Sequence, residues 1–238
     1  MANSFFKFKQ FTINQDACAM KVTTDACLFG AWCANLLNSV KPNNILDIGS
    51  GTGLLSLMLA QKSAAAIDSV EININAFNQA KQNIESSSFK SKISVHHSSI
   101  QQYSTTKKYD FIICNPPFFE QDLLSNNIAK NIAMHHTTLQ LTTLVQCINN
   151  LITENGFFAV LLPFHRTNYF EELTPNFKLL NKTIVQHSAK HPPFRTMFLF
   201  SKAQANNLYE ECICIKEISL TQYTPAFITL LKPYYLYL

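Results

Sequence analysis

Glycine is scarce in this chain, with five among 238 residues, whereas average usage is about 7%. Three of the five lie in one heptapeptide, Asp47-Ile48-Gly49-Ser50-Gly51-Thr52-Gly53. A chain that places most of its few glycines in one loop indicates a turn whose backbone must take unusual dihedral angles or approach a ligand closely.

Long apolar runs are also missing. No stretch approaches the roughly 18 apolar residues that a membrane-spanning helix needs. The first ten residues interleave lysine with phenylalanine and lack the apolar core of a signal peptide. These absences predict a protein without a membrane segment, located in the cytoplasm.

Arginine occurs only at Arg166 and Arg195, so the net charge of +4 comes mostly from lysine. This charge is compatible with an RNA partner, but many other enzymes carry one like it. The seven cysteines are scattered, and only Cys212 and Cys214 are closely spaced. The odd, scattered count predicts reduced thiols. Cys212 and Cys214 alternate with apolar residues as on one face of a strand, and no second ligand pair accompanies them, so no metal site is expected there.

From Asn44 onward, short apolar strands alternate with helical patterns, as is typical of a doubly wound, mainly parallel sheet with helices on both faces. Three strand patterns follow one another after residue 178 and predict an antiparallel C-terminal edge. The length fits one α/β domain at residues 41–238, preceded by an arm and a helix at residues 1–40 that we expect to pack over the cofactor site.

The glycine-rich loop lies between an apolar strand and an apolar helix, where backbone amides at a helix start favour a nucleotide-like ligand. A P-loop is excluded because no Gly-Lys-Ser/Thr follows. The G-x-G-x-G spacing also differs from the dinucleotide fingerprint, and Asp47 would repel a phosphate but would suit a ligand with an ammonium group. Glu71 ends the second strand, where its carboxylate can accept both hydroxyls of a ribose. A structural turn without a ligand is the alternative.

A second motif, Asn115-Pro116-Pro117-Phe118, follows the apolar run Tyr109–Cys114. The side-chain oxygen of Asn115 and the carbonyl of Pro116 can accept the two N–H hydrogens of an exocyclic amine and thereby localise its lone pair. The prolines restrict the backbone and preorganise these acceptors, and Phe118 offers a ring on which a planar target can stack, with Phe119 as the adjacent alternative. The same residues can also form a simple turn.

These two motifs together resemble those of the class I amino-methyltransferases. The segments Phe8-Lys9-Gln10-Phe11, Cys18–Asp25 and Leu28–Trp32 are similar to the bacterial tRNA1(Val) adenine-N6 methyltransferase family, and the resemblance covers nearly the whole chain. It implies a seven-stranded Rossmann-like sheet, S-adenosylmethionine as the methyl donor and no metal. It also implies methyl transfer to N6 of adenine 37 in the tRNA anticodon loop.

The resemblance assigns roles to individual positions. It implies that Lys21, Thr24 and Asp25 pack over the methionine end of the cofactor and that residues 115–118 hold the adenine. The family has an acidic residue near the cofactor's adenine where this chain has Ser99, and an arginine where it has Met134. The cofactor set expected from motif and resemblance is therefore Lys21, Thr24, Asp25, Asp47, Gly49, Gly51, Gly53, Glu71, Ser99 and Asn115.

Three questions stay open at the level of sequence. The N-terminal phenylalanines between Lys7, Lys9 and Lys21 either track single-stranded RNA or anchor the arm to the domain. Arg166 and Arg195 are candidate phosphate contacts or ordinary surface residues. The alternatives to a tRNA methyltransferase, expected to be a monomer, are a glutamine N5-methyltransferase acting on release factors and a non-catalytic scaffold. The first is disfavoured because its helical N-terminal domain has no counterpart before Asp47, and the second because residues 115–118 are intact.

Overall fold

The computed structural model describes residues 3–18, 21–116, 140–203 and 208–238. The strands in these ranges are β1 (Phe5–Lys7), β2 (Thr12–Asn14), β3 (Asn44–Ile48), β4 (Ala66–Glu71), β5 (Ile93–His97), β6 (Tyr109–Cys114), β7 (Ile152–Pro163), β8 (Lys178–Gln186), β9 (Pro193–Ser201) and β10 (Tyr209–Cys214). The helices are α1 (Thr24–Val40), α2 (Leu54–Ala60), α3 (Ile74–Glu85), α4 (Leu141–Leu151), α5 (Thr167–Leu173) and α6 (Pro225–Leu231), and Phe164–Arg166 forms a 3-10 turn.

Eight strands form one sheet in the order β10-β8-β9-β7-β6-β3-β4-β5. Every neighbouring pair is parallel except the two pairs that β9 makes with β7 and β8. The chain moves outward from β3 through β4 to β5 on one side and through β6 to β7 on the other. Ligands of open α/β sheets bind at such a reversal of strand order, beyond the carboxyl ends of the strands. The carboxyl ends of β3, β4 and β6 are therefore the expected place of the site.

The predicted α/β class is confirmed, with two differences in detail. The sheet has eight strands where seven were expected, and β10 adds to β8 as a parallel edge strand. The antiparallel strand is β9, which lies inside the sheet and not at its edge. Alternating apolar residues identify a strand, but they do not say which strand it will pair with, so the insertion of β9 between β7 and β8 was not visible in the sequence.

The sheet is covered by an apolar layer on each face. One layer joins α1, α2 and α6 to strand residues such as Ile45, Phe111 and Met197. The other joins α4 and α5 to the alternate residues of the same strands, such as Leu46 and Ile112. Because successive side chains of a strand point to opposite faces, a run that is buried on both faces reads as continuously apolar, as it does in β6.

A small hairpin of β1 and β2 precedes α1 and was not predicted. Phe8 and Phe11 are buried and stacked at 4.6 Å between ring centroids, and Phe8 pairs with Tyr235 through the backbone. The ammonium of Lys9 donates to the backbone oxygen of Lys232 at 2.6 Å. For Phe8 and Phe11 these contacts favour the anchoring interpretation over RNA tracking.

Candidate active site

The glycine-rich loop lies directly beyond the carboxyl end of β3. Gly49, Gly51 and Gly53 have φ angles of 71°, 55° and 81°, which L side chains rarely adopt. A Cβ on Gly49 or Gly51 would meet nothing within 4 Å, whereas one on Gly53 would lie 3.3 Å from the side chain of Ile84. The first two glycines thus present open backbone to a ligand, and the third lets α2 start close to α3.

Asp47 is the acidic residue at the start of this loop, and it is fully buried. Its Oδ2 atom accepts hydrogen bonds from the backbone N–H and the hydroxyl of Ser56, at 3.1 and 2.6 Å. Its Oδ1 atom is buried without a hydrogen-bond partner in the described part of the chain, and so is the hydroxyl of Ser50. Unpaired buried polar atoms are uncommon in native proteins, so two of them within one loop fit a site that a polar ligand completes.

Burial raises the pKa of Asp47 to about 7, although the hydrogen bonds from Ser56 act in the opposite direction. A buried carboxyl takes up a proton because the charged form has lost its hydration. An ammonium group placed beside Oδ1 would favour the ionised form again. The residue therefore fits the cationic methionine end of S-adenosylmethionine.

Glu71 ends β4, next to the loop, and is buried. Its Oε2 atom accepts from the N–H of Gly51 at 2.8 Å, and its Oε1 atom accepts from the N–H of Asn73 at 2.8 Å. Each carboxylate oxygen can accept more than one hydrogen bond. The two backbone bonds fix the carboxylate beside the loop, where it fits the ribose role that the sequence predicts.

Asn115 and Pro116 follow the carboxyl end of β6. Cys114, the last residue of β6, pairs with Ile48, the last residue of β3. Asn115 and Gly49 directly follow these two paired residues and are therefore close together. The Oδ1 atom of Asn115 is buried and has no hydrogen-bond partner among the described residues. This oxygen is therefore an acceptor at the place where the target amine is expected. Pro117 and Phe118, the rest of the motif, lie outside the described residues, as do Phe119 and Met134.

The remaining predicted cofactor residues lie on segments around this edge. Lys21 is exposed, with Nζ 3.5 Å from the backbone oxygen of Asn3. Thr24 begins α1 and is exposed, and Asp25 forms an ion pair with Arg195 at 2.7 Å. Ser99 follows β5, and its hydroxyl accepts from the N–H of Gln102 at 3.3 Å. All of these bonds join residues of the protein itself, so they do not test a contact with the cofactor. The cofactor roles of Lys21, Thr24, Asp25 and Ser99 therefore stay predictions.

Ser56 supports the site, although the sequence analysis did not single it out. Its hydroxyl lies 2.6 Å both from Oδ2 of Asp47 and from the hydroxyl of Ser69. Ser56 is in the apolar helix α2 and Ser69 is in the buried strand β4, and both are fully buried. A buried serine on an apolar face was the available signal, because a buried hydroxyl needs a partner.

Asn83 of α3 supports the loop from the other side. Its amide nitrogen donates to the backbone oxygens of Thr52 and Asn14, both at 2.9 Å, and its Oδ1 atom accepts from the N–H of Asn14. The side chain thus ties the N-terminal hairpin to the glycine-rich loop. Asparagine is abundant in this chain, so the sequence did not distinguish the buried Asn83 from the many asparagines expected at the surface.

Replacement of Asn83 by alanine is expected to lower the free energy of unfolding by about 1–3 kcal/mol, because buried backbone groups lose their partner. Urea denaturation measures the change. The matched control is Asn78→Ala, because Asn78 is exposed on the same helix and should change stability by less than about 0.5 kcal/mol. Equal effects of the two substitutions would show that the bonds of Asn83 do not stabilise the fold.

The described part of the chain contains neither a cluster of metal-ligating side chains nor a membrane-spanning helix. No group of three or more histidine, cysteine, aspartate or glutamate side chains there could hold a metal ion. None of the helices described is long and apolar enough to cross a membrane. Cys212 and Cys214 lie on edge strand β10 as free cysteines.

Comparisons with known proteins agree with this geometry. The family model of the methyltransferase small domain matches residues 32–143. Proteins named tRNA1(Val) (adenine(37)-N6)-methyltransferase from Dyadobacter fermentans and Trichodesmium erythraeum are 42% and 40% identical to the chain. The alignments cover 98% of the chain and of the first relative, and 99% of the chain and of the second. A predicted O-methyltransferase from Agrobacterium tumefaciens has the same fold, with a TM-score of 0.68 at 14% identity over 87% of this chain and 95% of that one. The chain therefore belongs to the tRNA1(Val) (adenine(37)-N6)-methyltransferase family.

Proposed function

We propose that this protein methylates N6 of adenine 37 in the anticodon loop of tRNA1(Val), with S-adenosylmethionine as the methyl donor. The observation that carries the proposal is the buried Oδ1 atom of Asn115, which has no hydrogen-bond partner among the described residues and lies one position beyond the strand pair that also leads into the glycine-rich loop. An acceptor at this point is what an N–H of the target amine requires. Family membership supports the same reaction.

The residues of the glycine-rich edge would hold the cofactor. Asp47 offers Oδ1 to the ammonium group, Glu71 offers its carboxylate to the ribose hydroxyls, and the open backbone at Gly49 and Gly51 lets the ligand approach closely. We further propose that Lys21, Thr24, Asp25 and Ser99 complete this site. When bound, S-adenosylmethionine supplies a methyl group on a positively charged sulfur atom.

Asn115 and Pro116 would act on the nucleophile. The N6 lone pair of adenine is delocalised into the ring, so acceptance of its N–H hydrogens by Oδ1 of Asn115 and by the Pro116 carbonyl restores nucleophilic character to the nitrogen. Phe118 is proposed to stack on the adenine ring. The amine proton is released to solvent after transfer, so no general base is needed in this scheme.

Adenine 37 suits such a site because it lies in a loop, where an unpaired base can be turned out of its stack at low cost. We propose that the anticodon stem-loop contains the features that are recognised, and that the protein acts as a cytoplasmic monomer without a metal. We also propose residues 1–40 as an arm over the cofactor site and residues 41–238 as the methyltransferase domain. Burial of Phe8, Phe11 and Ile13 in the same apolar layer as α1 and α2 supports an arm held tightly against that domain.

Purified protein, S-adenosylmethionine and a transcript of tRNA1(Val) test the proposal in a single-turnover assay. We expect one methyl group per tRNA, found as N6-methyladenosine, and no product on a transcript with guanine at position 37. A release-factor fragment containing its target glutamine tests the alternative in parallel. Methylation of that fragment without methylation of the tRNA would establish the alternative.

A further inference from the structure

The edge of the sheet that contains the candidate active site also contains a stacked pair of aromatic rings. His187 and Phe194 stack with ring centroids 4.1 Å apart and an interplanar angle of 6°. They flank the connection between β8 and β9. His187 is exposed, while Phe194 packs in part against the apolar core. The ring of Phe194 is thus held against the core, and the more exposed ring of His187 covers it.

The connection that holds the pair is fixed by its own hydrogen bonds. The hydroxyl of Ser188 lies 2.8 Å from Nδ1 of His191, and the backbone oxygen of His191 accepts from the side chain of Gln186 at 2.8 Å. Ser188 is fully buried. The rings are therefore preorganised, and a ligand that stacks on them would lose little entropy in ordering the loop.

Arg195 links this pair to the active-site segments. Its guanidinium carbon lies 5.5 Å from the centre of the Phe194 ring, and its Nε atom donates to Asp25 at 2.7 Å. Arg195 also pairs with Pro163 of β7, and β7 lies beside β6, the strand that leads to Asn115. Two strand spacings of about 4.8 Å separate β9 from β6, which is a lateral distance of roughly 10 Å.

We propose that His187 and Phe194, with Arg195 as their support, form a stacking platform for an unpaired RNA base close to the target adenine. A separation of roughly 10 Å corresponds to about three stacked nucleotides at about 3.4 Å each, so the base belongs to the same loop as the target. Bases stack on aromatic rings and arginine planes whatever their sequence. The exposed Lys190 in the same connection adds positive charge near the phosphates.

This inference rests on the proposed function for the choice of RNA, but it is tested by binding rather than by methyl transfer. His187→Ala and Phe194→Leu are expected to weaken binding of an anticodon stem-loop by about 5- to 100-fold, as loss of one base stack does. His187→Tyr should restore most of the affinity, because it returns a ring. Tyr209→Ala is the matched control, since Tyr209 is an exposed aromatic residue at the start of β10. Because β10 is parallel to β8, the start of β10 lies at the opposite edge of the sheet from His187.

Fluorescence anisotropy with labelled stem-loops that have one abasic nucleotide at a time identifies the stacked base. In the wild-type protein one abasic position besides that of the target adenine should weaken binding, and in His187→Ala this second position should make no further difference. Wild-type affinity of His187→Ala and Phe194→Leu, with unchanged melting temperatures, would overturn the platform. Absence of methylation of the intact stem-loop by the wild-type protein would instead count against the proposed function, because the binding comparison does not depend on it.

Discussion

Asn115→Ala is expected to lower the rate of methyl transfer by about 100-fold or more, as the loss of a positioning or charge-stabilising group in an active site does. The affinity for S-adenosylmethionine should stay within about twofold of wild type, because Oδ1 of Asn115 is assigned to the target amine. A single-turnover assay with tRNA measures the rate, and isothermal titration calorimetry measures the affinity.

The control for this substitution is Asn38→Ala, since Asn38 is exposed near the far end of α1 and should leave both quantities unchanged. Asn115→Asp is informative as well, because it keeps an acceptor but loses the amide group. A near wild-type rate in Asn115→Ala would remove Asn115 from the mechanism. A large loss of cofactor affinity would show that Asn115 acts mainly in the cofactor set, in which the sequence analysis also places it.

Asp47→Ala is expected to weaken S-adenosylmethionine binding by about 1–3 kcal/mol, because a buried charged hydrogen bond is lost. The pH dependence gives a sharper test. Burial raises the pKa of Asp47 to about 7 in the cofactor-free protein, and the ammonium of the ligand favours the ionised form. Binding at pH 5.5 must therefore release a proton, and affinity should rise about tenfold from pH 5.5 to pH 7.

The pH dependence of the stability of the cofactor-free protein has the opposite sign to that of cofactor affinity. A raised pKa means that the folded state binds the proton more tightly than the unfolded state, so the contribution of Asp47 falls as the pH rises from about 4 to 7. Asp47→Asn should abolish both trends, because an amide does not titrate. Ser56→Ala removes a hydrogen bond that lowers the pKa of Asp47, so it should move the binding transition to higher pH.

Calorimetry in buffers of different ionisation enthalpy counts the protons released on binding. We expect close to one proton at pH 5.5 for the wild-type protein and none for Asp47→Asn. Equal proton release by the two proteins would show that Asp47 does not contact the ammonium group.

Local patterns predicted most of the central fold. Helix α2 follows the glycine-rich loop as expected, and strand β6 has the bounds of the apolar run Tyr109–Cys114, because the apolar residues and flanking turn residues there agree with the tertiary structure. The hairpin of β1 and β2 was missed because each strand has three residues, too few for an alternation to be recognised. The position of β9 was missed because pairing between strands is a long-range property.

In the candidate site, too, the residues at strand ends were predicted and those that act through long-range contacts were missed. Asp47, Glu71 and Asn115 were predicted because each lies at or next to the carboxyl end of a strand, and the ends of neighbouring parallel strands meet at one edge. The supports Ser56 and Asn83 act through contacts with partners 9 and 69 residues away in sequence. A single sequence contains no record of such contacts. Arg195 forms an ion pair with Asp25 and its side chain is partly exposed, and the phosphate contact considered for it stays a prediction.

Nucleoside mass spectrometry of tRNA1(Val) from a strain that lacks this gene tests the central claim most directly. We expect unmodified adenine at position 37 in the deletion strain, N6-methyladenosine there after complementation with the wild-type gene, and no restoration by the Asn115→Ala variant. N6-methyladenosine at position 37 at an unchanged level in the deletion strain would contradict the assigned function.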